Sequence, residues 1–349
     1  MIKIKIVEPN AVLIDDMPPY QKIERCGRTC YKSEASITED SALKFVKNMI
    51  EHQHTAMLEH AHIYMRVNES VMLLVRKWLE TDATAERPNN SVPYLNITAI
   101  RHKNYKYSYV SGSFRTFINI FNRYFDNYNE NYGMNALYIE LSRAYPDIFE
   151  SKESTAKNVD KTSDAVKWKQ GVILFDNAQN LIDDVHRMTD TPKSADTIIA
   201  KHVIHSIIFT CDRGVSHEFV RHRPCSFAQE STRYCNYAKD KFGNEITVIK
   251  PCFYEEGSNE YEVWKHSCEQ SEASYFDLIK NGSTPQQARS VLPNSLKTEI
   301  VITATEDEWQ HIINLRQIGT TGAPHPQIKE VMSIAYPLLE KASNGRLKN

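Results

Sequence analysis

The sequence predicts a protein of the α/β class, of the α+β type, in which a mixed sheet packs against helices. Segments with apolar residues at helical spacing and segments with alternating apolar and polar residues follow one another along the chain. Hydrophobic residues make up 41% of the 349 residues and charged residues 25%, with 11 glycines and 14 prolines. This composition excludes a disordered or collagen-like chain, and no apolar run is long enough to predict a membrane span.

Each element is predicted from its own local pattern. Alternation predicts strands over residues 1–7, 63–67 and 299–303, a short apolar run predicts another over residues 207–211, and residues 246–249 are strand-like. Apolar spacing predicts helices over residues 42–53, 71–79, 115–125, 135–144, 172–188, 214–223, 260–279, 306–316 and 326–339. Ser36 and Glu39 form a possible capping box for the first of these. Thr284 and Pro285 have the N-cap and first-turn chemistry of a further helix, which Pro293 ends.

The net charge and one tyrosine-rich segment bear on whether the protein binds nucleic acid or a membrane. The 42 Lys and Arg against 44 Asp and Glu give a net charge of −2, so any anion must be bound by a local cluster. Tyr105, Tyr107 and Tyr109 alternate within a basic segment. We interpret them as a strand with one packed tyrosine face, the alternative being a stacking surface for single-stranded nucleic acid. We expect neither nucleic acid nor a membrane as a partner.

The sequence also argues against a signal peptide, paired cysteines and a zinc site. Residues 1–7 lack the apolar run and cleavage site of a signal peptide, so we expect a cytoplasmic location. Seven cysteines without a C-x-x-C pair predict free, mostly buried thiols. The histidines at 52, 54, 60 and 62 lack the partners of a closed zinc site, so no metal is expected.

The middle of the chain differs in character from its two ends. Residues 81–90 and 147–164 are polar and charged, and several helical patterns lie around them. We therefore predict a core of residues 1–67 and 206–349 and a large, mostly helical insertion of residues 68–205.

The strongest chemical signal lies between residues 217 and 234. Arg221, Arg223 and Arg233 lie within 13 positions, with hydroxyls at Ser226, Ser231 and Thr232. Guanidinium forks and hydroxyls suit phosphate and the carbonyl edge of a pyrimidine or flavin ring. Proline disfavours helical backbone at the residue before it, so Arg223 can leave the helix and approach the site of Arg221. A solvated, charged face is the alternative interpretation.

This segment resembles the signature of the flavin-dependent thymidylate synthases, which is R-H-R, seven residues and a serine. Here it is Arg221-His222-Arg223, seven residues and Ser231. Residues 23–33, 54–60, 288–299, 314–316 and 325–327 resemble other segments of that family in the same order. The resemblance covers residues 1–66 and 206–340 and leaves the predicted insertion outside it.

The resemblance implies a flavin-dependent thymidylate synthase core and its reaction. Such enzymes convert dUMP to dTMP with methylenetetrahydrofolate as carbon donor and NADPH as reductant, through FAD, and they are homotetramers whose active sites are shared between subunits. By position, Arg316 and Ser231 are implied to be catalytic. The implied cofactor residues are His60, His62, Arg221, His222, Arg223, Gln229 and His311. The implied substrate residues are Glu218, Arg221, Gln229, Ser231, Thr232, Arg233, Arg289 and Arg316.

The implied residues make chemical sense without a cysteine nucleophile. Adding carbon at C5 requires negative charge to build on the uracil ring, and a permanently cationic arginine such as Arg316 stabilises that charge. Cys225 and Cys235 lie at positions that the family does not use for attack. We therefore expect no covalent thiolate role for either.

The sequence also departs from the family pattern. Glu218, Ala228 and Gln229 stand where members often have glutamine, asparagine and glutamate, so Glu218 needs a partner, for which Arg221 or His222 is near in sequence. Thr305 and Asp307 stand where members commonly have asparagine and arginine that contact the flavin. We raise the hypothesis that Arg115, in the segment 111–117, compensates.

Two other functions stay open at this point. The departures are compatible with a related enzyme that makes a hydroxymethylated pyrimidine nucleotide. They are also compatible with a non-catalytic relative that binds nucleotide or RNA and has lost FAD. Flavin colour in the purified protein distinguishes the enzymes from the binding protein, and product analysis distinguishes the two enzymes.

Overall fold

The computed structural model describes residues 4–81, 95–126, 131–149, 171–238 and 244–349. Its contacts divide the chain into two compact units. The first consists of Met1–Pro18, Glu24–Thr38 and His205–Asn349, and the second of Pro19–Ile23 and Glu39–Ile204. Of the residues that the sequence set apart as polar, 82–90 and 150–164 lie outside the described residues.

Strands and helices alternate along the described chain, which confirms the predicted α/β class. The strands are β1 (Lys5–Val7), β2 (Asn10–Leu13), β3 (His62–Asn68), β4 (Leu95–His102), β5 (Tyr105–Ser113), β6 (Val172–Phe175), β7 (Ile204–Asp212), β8 (Ser226–Gln229), β9 (Thr247–Ile249) and β10 (Lys297–Thr305). The helices are α1 (Pro19–Tyr31), α2 (Ser41–Glu51), α3 (Glu69–Thr81), α4 (Phe114–Asp126), α5 (Tyr132–Ala144), α6 (Pro146–Phe149), α7 (Ala178–Met188), α8 (Pro192–His202), α9 (Arg213–Phe219), α10 (Asn259–Lys280), α11 (Pro285–Ala288), α12 (Glu306–Ile313) and α13 (Pro326–Ala342). Short 3-10 turns cover Glu34–Ser36, Thr55–His60 and Arg289–Val291, and a π-helical turn covers Asn314–Ile318.

The first unit contains two sheets. One is the parallel pair β1–β9, and the other has the order β2-β7-β10-β8, with β2–β7 and β8–β10 antiparallel. Its core is formed by β7 and β10 with α12 and α13, and Phe209, Phe219 and Trp309 are fully buried in it. The Phe209 and Phe219 rings stack at 4.7 Å, and burial of each such ring contributes about 2 kcal/mol. This packing fixes α9 and α12, which carry the candidate site.

The second unit contains the sheet β4-β5-β3-β6. The predicted core boundary at residue 67 differs from the observed division, because β3 pairs with β5 and β6 and so groups with the residues that follow it. The predicted strand at Tyr105 to Tyr109 is present as the start of β5. Tyr109 is fully buried and Tyr105 is 66% exposed, so its tyrosine face is packed at one end only.

Several element predictions are wrong in detail. Residues 172–188 form a strand and then a helix, because 172–175 pair with β3 and Asn177 caps α7 by accepting a hydrogen bond from the Asn180 amide. Asp40, and not Ser36, precedes α2, so the first capping box is absent. At Thr284 the backbone amide donates to Gln287 Oε1 at 2.9 Å, but the helix ends at Ala288. Helix α1 and strand β2 were not predicted.

Among the helices of the described residues, none combines the length and apolar character needed to span a bilayer.

Candidate active site

The R-H-R segment follows a short helix that begins at the end of a central strand. Asp212, the last residue of β7, caps α9 by accepting a hydrogen bond from the Val215 amide at 2.7 Å. The helix ends at Phe219, four residues earlier than predicted, and the chain continues in turns. One of these turns is closed by a hydrogen bond from the Cys225 amide to the His222 carbonyl at 3.2 Å. The early end separates the three residues of the motif, since His222 is buried while Arg221 and Arg223 are exposed.

Arg316 joins Glu218 and His222 into one cluster, which we call the Arg316 cluster. Its Nη1 donates to Glu218 Oε2 at 2.5 Å, its Nη2 to the Glu218 carbonyl at 3.3 Å, and its Nε to His222 Nε2 at 3.2 Å. The His311 ring lies edge-on to His222, with 5.7 Å between the centroids. The predicted partner of Glu218 is therefore wrong: Arg316, 98 positions away, pairs with it instead of Arg221 or His222.

His222 is held neutral in this cluster. Burial, then the charge of Arg316, lower the pKa of His222 to about 4. Because its Nε2 accepts a hydrogen bond from Arg316, the ring proton belongs on Nδ1 near pH 7. His222 therefore orients the guanidinium without adding a second positive charge.

The backbone that carries Arg316 is unusual. After Ile313 the helix widens into a π-helical turn over Asn314–Ile318, a feature often found at functional sites. Gly319 ends the turn with φ of 82°, in the left-handed region that favours glycine. A Cβ atom at Gly319 would lie 2.8 Å from both the Gly322 carbonyl oxygen and Pro324 Cδ, so no side chain fits there without movement of the loop.

A second group of implied residues lies on the turn after β8. Gln229 donates through its amide to Ser216 Oγ at 2.8 Å and to Thr298 Oγ1 at 3.2 Å. The amides of Tyr234 and Cys235 both donate to the Ser231 carbonyl, at 3.1 and 3.0 Å. These bonds close the turn that presents Ser231, which we call the Ser231 turn (residues 230–235).

Two exposed arginines border the Ser231 turn. Arg289 Nη1 donates to Thr232 Oγ1 at 3.5 Å, and Arg233 Nε donates to Gln286 Oε1 at 3.3 Å. The Arg233 guanidinium also lies 5.6 Å from the centre of the Tyr234 ring. Neither arginine forms an ion pair with a described residue, so no neighbouring carboxylate offsets their charges, and both can attract an anionic group such as a phosphate.

Arg221 and Arg223 are also available for a ligand. Within the part of the chain that the structure describes, neither side chain forms a hydrogen bond or an ion pair. Arg221 is close enough to His222 to contribute to the lowering of its pKa. The predicted approach of both arginines to one site stays a prediction, because no contact joins them.

The remaining implied flavin residues belong to the second unit. His60 is fully buried, and burial lowers the pKa of His62 to about 3. The Nδ1 atom of His62 is buried and has no hydrogen-bond partner among the described residues. Arg115, the hypothesised substitute contact, donates to Glu59 Oε1 at 2.5 Å and is therefore already ion-paired.

The departure at Thr305 has a structural explanation. Its hydroxyl caps α12 by accepting a hydrogen bond from the Glu308 amide at 3.4 Å. A threonine at this position stabilises the start of the helix that leads to Arg316. The expectation that Thr305 and Asp307 remove two flavin contacts stays a prediction.

Sequence reasoning missed the charged residues behind the Ser231 turn. Lys297 donates to Glu230 Oε2 at 3.1 Å and to Glu299 Oε1 at 2.9 Å. Two signals were present. Lys297 and Glu299 are two apart on a strand, so they share a face, and Glu230 is a carboxylate at the end of a buried strand, which requires a partner.

The cysteines match their prediction. All seven are free; five are buried, Cys30 is partly buried and Cys252 is exposed. Burial raises the pKa of the Cys225 thiol to about 12, which disfavours a thiolate beside the R-H-R segment. In the described part of the chain, no three His, Cys, Asp or Glu residues are grouped so that they could hold a metal ion.

A family model described as "Thymidylate synthase complementing protein" matches residues 12–130 and 144–343 of this chain. The match extends through most of residues 68–205, whose status as an insertion stays a prediction. The chain is also similar to a flavin-dependent thymidylate synthase of Pyrococcus furiosus, with 33% identity over 131 residues, which are 38% of this chain and 50% of that protein.

Two further similarities differ in coverage. A flavin-dependent thymidylate synthase of Aquifex aeolicus is 21% identical over 313 residues, which are 85% of this chain and 87% of its own. One of Thermococcus onnurineus is 31% identical over 154 residues, which are 44% of this chain and 60% of its own. The chain thus spans half to three-fifths of the two more similar relatives. Among solved structures, a UMP/dUMP methylase, PolB from Streptomyces cacaoi bound with 5-Br UMP, covers 48% of this chain and 90% of its own, with 17% identity and a TM-score of 0.37.

Proposed function

We propose that this protein, which belongs to the thymidylate synthase complementing protein family, is a flavin-dependent thymidylate synthase. In this proposal it converts dUMP to dTMP, with methylenetetrahydrofolate as carbon donor and NADPH as reductant. The family assignment agrees with the resemblance seen in residues 221–234. The named activity of the relatives, together with the geometry below, supports the reaction.

One observation carries the proposal, which is the state of the Arg316 guanidinium. An arginine has five N–H donors, and three of them are used by Glu218 and His222. One N–H on each terminal nitrogen therefore remains for a ligand. These three hydrogen bonds hold the side chain in place, and because it is 17% exposed a ligand can still reach it.

The chain's own residues then have distinct tasks. Arg316 stabilises the negative charge that must build on the uracil ring before C5 can attack the carbon donor, and it exchanges no proton because guanidinium stays charged. Neutral His222 and the Glu218 carboxylate fix its orientation. Arg233 and Arg289 bind the phosphate of dUMP at the Ser231 turn, and the Ser231 hydroxyl contacts the nucleotide.

The residues of the R-H-R segment fit a flavin. Arg221 and Arg223 offer unused guanidinium donors, which suit the phosphates and ring carbonyls of FAD, and His222 and His311 lie together beside them. His60, His62 and Gln229 are assigned to the same cofactor by resemblance alone. When bound, the flavin supplies the transfer of reducing equivalents from NADPH to the nucleotide.

The test is product formation by the purified chain supplied with FAD. The protein is incubated with dUMP, methylenetetrahydrofolate and NADPH, and the nucleotides are separated and identified by mass. We expect dTMP, and an Arg316→Ala variant that still binds FAD serves as the matched control. A 5-hydroxymethyl product would favour the related enzyme, and a chain that takes up no flavin and makes no product would contradict the proposal.

The proposal includes an assembly and a location. We propose a homotetramer with shared active sites, as the resemblance implies, and a cytoplasmic location. Light scattering of the purified chain measures the assembly. A mass of one 40.3 kDa chain in an active preparation would contradict it.

A further inference from the structure

Four charged side chains form a continuous chain behind the Ser231 turn. Lys297 bridges Glu230 and Glu299, and Lys32 contacts the same oxygen of Glu299 at 2.5 Å. Two lysines thus face these two carboxylates, and Lys32 also contacts a third, Glu34, at 3.6 Å. We call the set of Lys297, Glu230, Glu299 and Lys32 the Lys297 network. It lies in the first unit and none of its members was implied to contact a ligand.

The side chains of the Lys297 network are mostly buried, so their charges interact strongly with one another. Glu230 is only 3% exposed, and Lys297, Glu299 and Lys32 are 16%, 17% and 18% exposed. Burial alone would raise the pKa of Glu299, but Lys297 and Lys32 lower it to about 2. Burial would lower the pKa of Lys297, but Glu230 and Glu299 hold it above its usual value. Both groups therefore stay charged near neutral pH.

Backbone hydrogen bonds fix Glu230 and the next residue, Ser231, relative to the strand β10 and to α1. The Glu230 amide donates to the Glu299 carbonyl at 2.8 Å, and the Ser231 amide donates to the Cys30 carbonyl at 3.0 Å. Arg213 Nη1 donates to the Glu230 carbonyl at 3.3 Å. The residue that anchors its carboxylate to Lys297 is thus directly followed by the residue at the candidate catalytic position.

We propose that Lys297 is a positioning residue that holds the Ser231 turn in its binding conformation through the Glu230 carboxylate. The assignment of the turn to dUMP rests on the proposed function, whereas the anchoring of the turn does not. Removing one partner of a buried pair leaves an uncompensated charge, which is costly. Glu230 can recover hydration only by moving outward, and such movement displaces Ser231 and the residues after it.

The matched variants use two lysines in ion pairs of the same length. Lys297→Met removes the anchor. Lys250→Met is the control, because Lys250 pairs with Glu8 at 3.1 Å on the surface and contacts no residue of the Ser231 turn. The double variant Glu230→Gln with Lys297→Met removes both charges, so it separates the cost of an unpaired carboxylate from the loss of the anchor.

The first measurement needs no ligand. Amide hydrogen exchange of the unliganded full chain follows the peptide that contains Ser231 and Cys235. We expect exchange there to be about tenfold faster in Lys297→Met and unchanged in Lys250→Met, because the closed turn opens more often. Unchanged exchange in Lys297→Met would overturn the proposal.

The second measurement uses dUMP itself, with FAD supplied. We expect KM for dUMP to rise about tenfold in Lys297→Met with a smaller change in kcat, because binding must reorder the turn. In the double variant we expect the thermal midpoint to recover while KM stays raised. A variant that loses stability but keeps the parental KM would show a structural role only. If the parent does not bind dUMP but the exchange result holds, the anchoring stands and the proposed substrate falls.

Discussion

The Arg316 cluster and a second set of charged residues in the same unit are built from similar groups but differ in how completely those groups are used. The second set, which we call the His205 cluster, joins His205 to Asp15 at 2.5 Å and to Glu306 at 3.1 Å, and Arg346 donates twice to Glu306. His205 and Glu306 are 5% and 1% exposed. Glu218 and Arg316 are 26% and 17% exposed.

This difference indicates that the His205 cluster stabilises the fold, whereas the Arg316 cluster can bind a ligand. Both ring nitrogens of His205 and both oxygens of Glu306 are occupied, so neither of these two residues has a polar atom left for a ligand. The Arg316 guanidinium keeps two N–H donors without a partner in the Arg316 cluster, and its side chain is partly exposed to solvent. A saturated, buried cluster contributes to stability, whereas an unsaturated, accessible one can bind and stabilise a developing charge.

The largest expected effect is on stability, at the His205 cluster. Glu306→Gln leaves His205 and Arg346 buried without their carboxylate, and we expect a loss of about 3 kcal/mol in the free energy of unfolding. Urea denaturation measures it. Glu340→Gln, on the exposed side of α13, is the control and should change stability by less than about 0.5 kcal/mol. Equal losses in both variants would remove the distinction.

The next effect is on turnover, at the Arg316 cluster. Arg316→Ala removes the charge that faces the uracil ring, which is worth on the order of 3 kcal/mol in the barrier, or roughly a hundredfold in turnover. Steady-state kinetics with saturating dUMP and FAD measure it, and the thermal midpoint should change little. Parental turnover would remove Arg316 from the catalytic step.

The pH dependence of stability should distinguish the clusters further. Asp15 and Glu306 hold the pKa of His205 at about 9 in spite of its burial, against a usual value of 6.5. A raised pKa means that the contribution of His205 is complete below pH 6.5 and is lost as the pH rises through about 9. Urea midpoints of the parent and His205→Gln should therefore converge between pH 7 and 10, and a constant difference would contradict this.

Smaller effects are expected when the four exposed arginines are replaced singly, and the ligand affected should differ between two pairs of them. Arg221→Ala and Arg223→Ala should weaken FAD retention about tenfold, since each removes unused guanidinium donors. Arg233→Ala and Arg289→Ala should instead raise KM for dUMP by a similar factor. Flavin release followed by absorbance and KM for dUMP are measured in all four variants. The opposite division would reverse the assignment of the two ligands.

The smallest effect is expected at Cys225. Its thiol is buried and its pKa is raised, so it is not a nucleophile near neutral pH. Cys225→Ala should keep turnover within about twofold of the parent at a temperature where both are folded. A loss as large as that of Arg316→Ala would point to a covalent step.

The sequence allowed prediction of what depends on local pattern. The long helix α10 and the strand β10 follow from periodicity, the strand β7 follows from its short apolar run, and the R-H-R segment is recognisable because its spacing is fixed. The partner of Glu218 was not predictable, because the pairing with Arg316 spans 98 positions and depends on how β7 and β10 place α9 and α12. A search limited to i+3 and i+4 neighbours could not find it.

Tertiary pairing explains the other errors. Residues 172–175 are apolar and short, so periodicity does not distinguish a strand from a helix, and pairing with β3 decides the outcome. The helix after Asp212 ends at Phe219, whose ring stacks on Phe209, and the chain then continues in turns. At residues 172–175, a contact between distant residues decides between two structures that the local pattern leaves open.

Gly319 sets a limit on how this protein can vary. The residue that ends the π-helical turn has no room for a Cβ atom and a backbone angle that other residues rarely adopt. Substitution of Gly319 by any other residue would therefore shift the loop from 319 to 324 and, through it, the turn that presents Arg316. An unremarkable glycine, with no chemistry of its own, should tolerate less substitution in a saturation library than exposed Thr320 beside it.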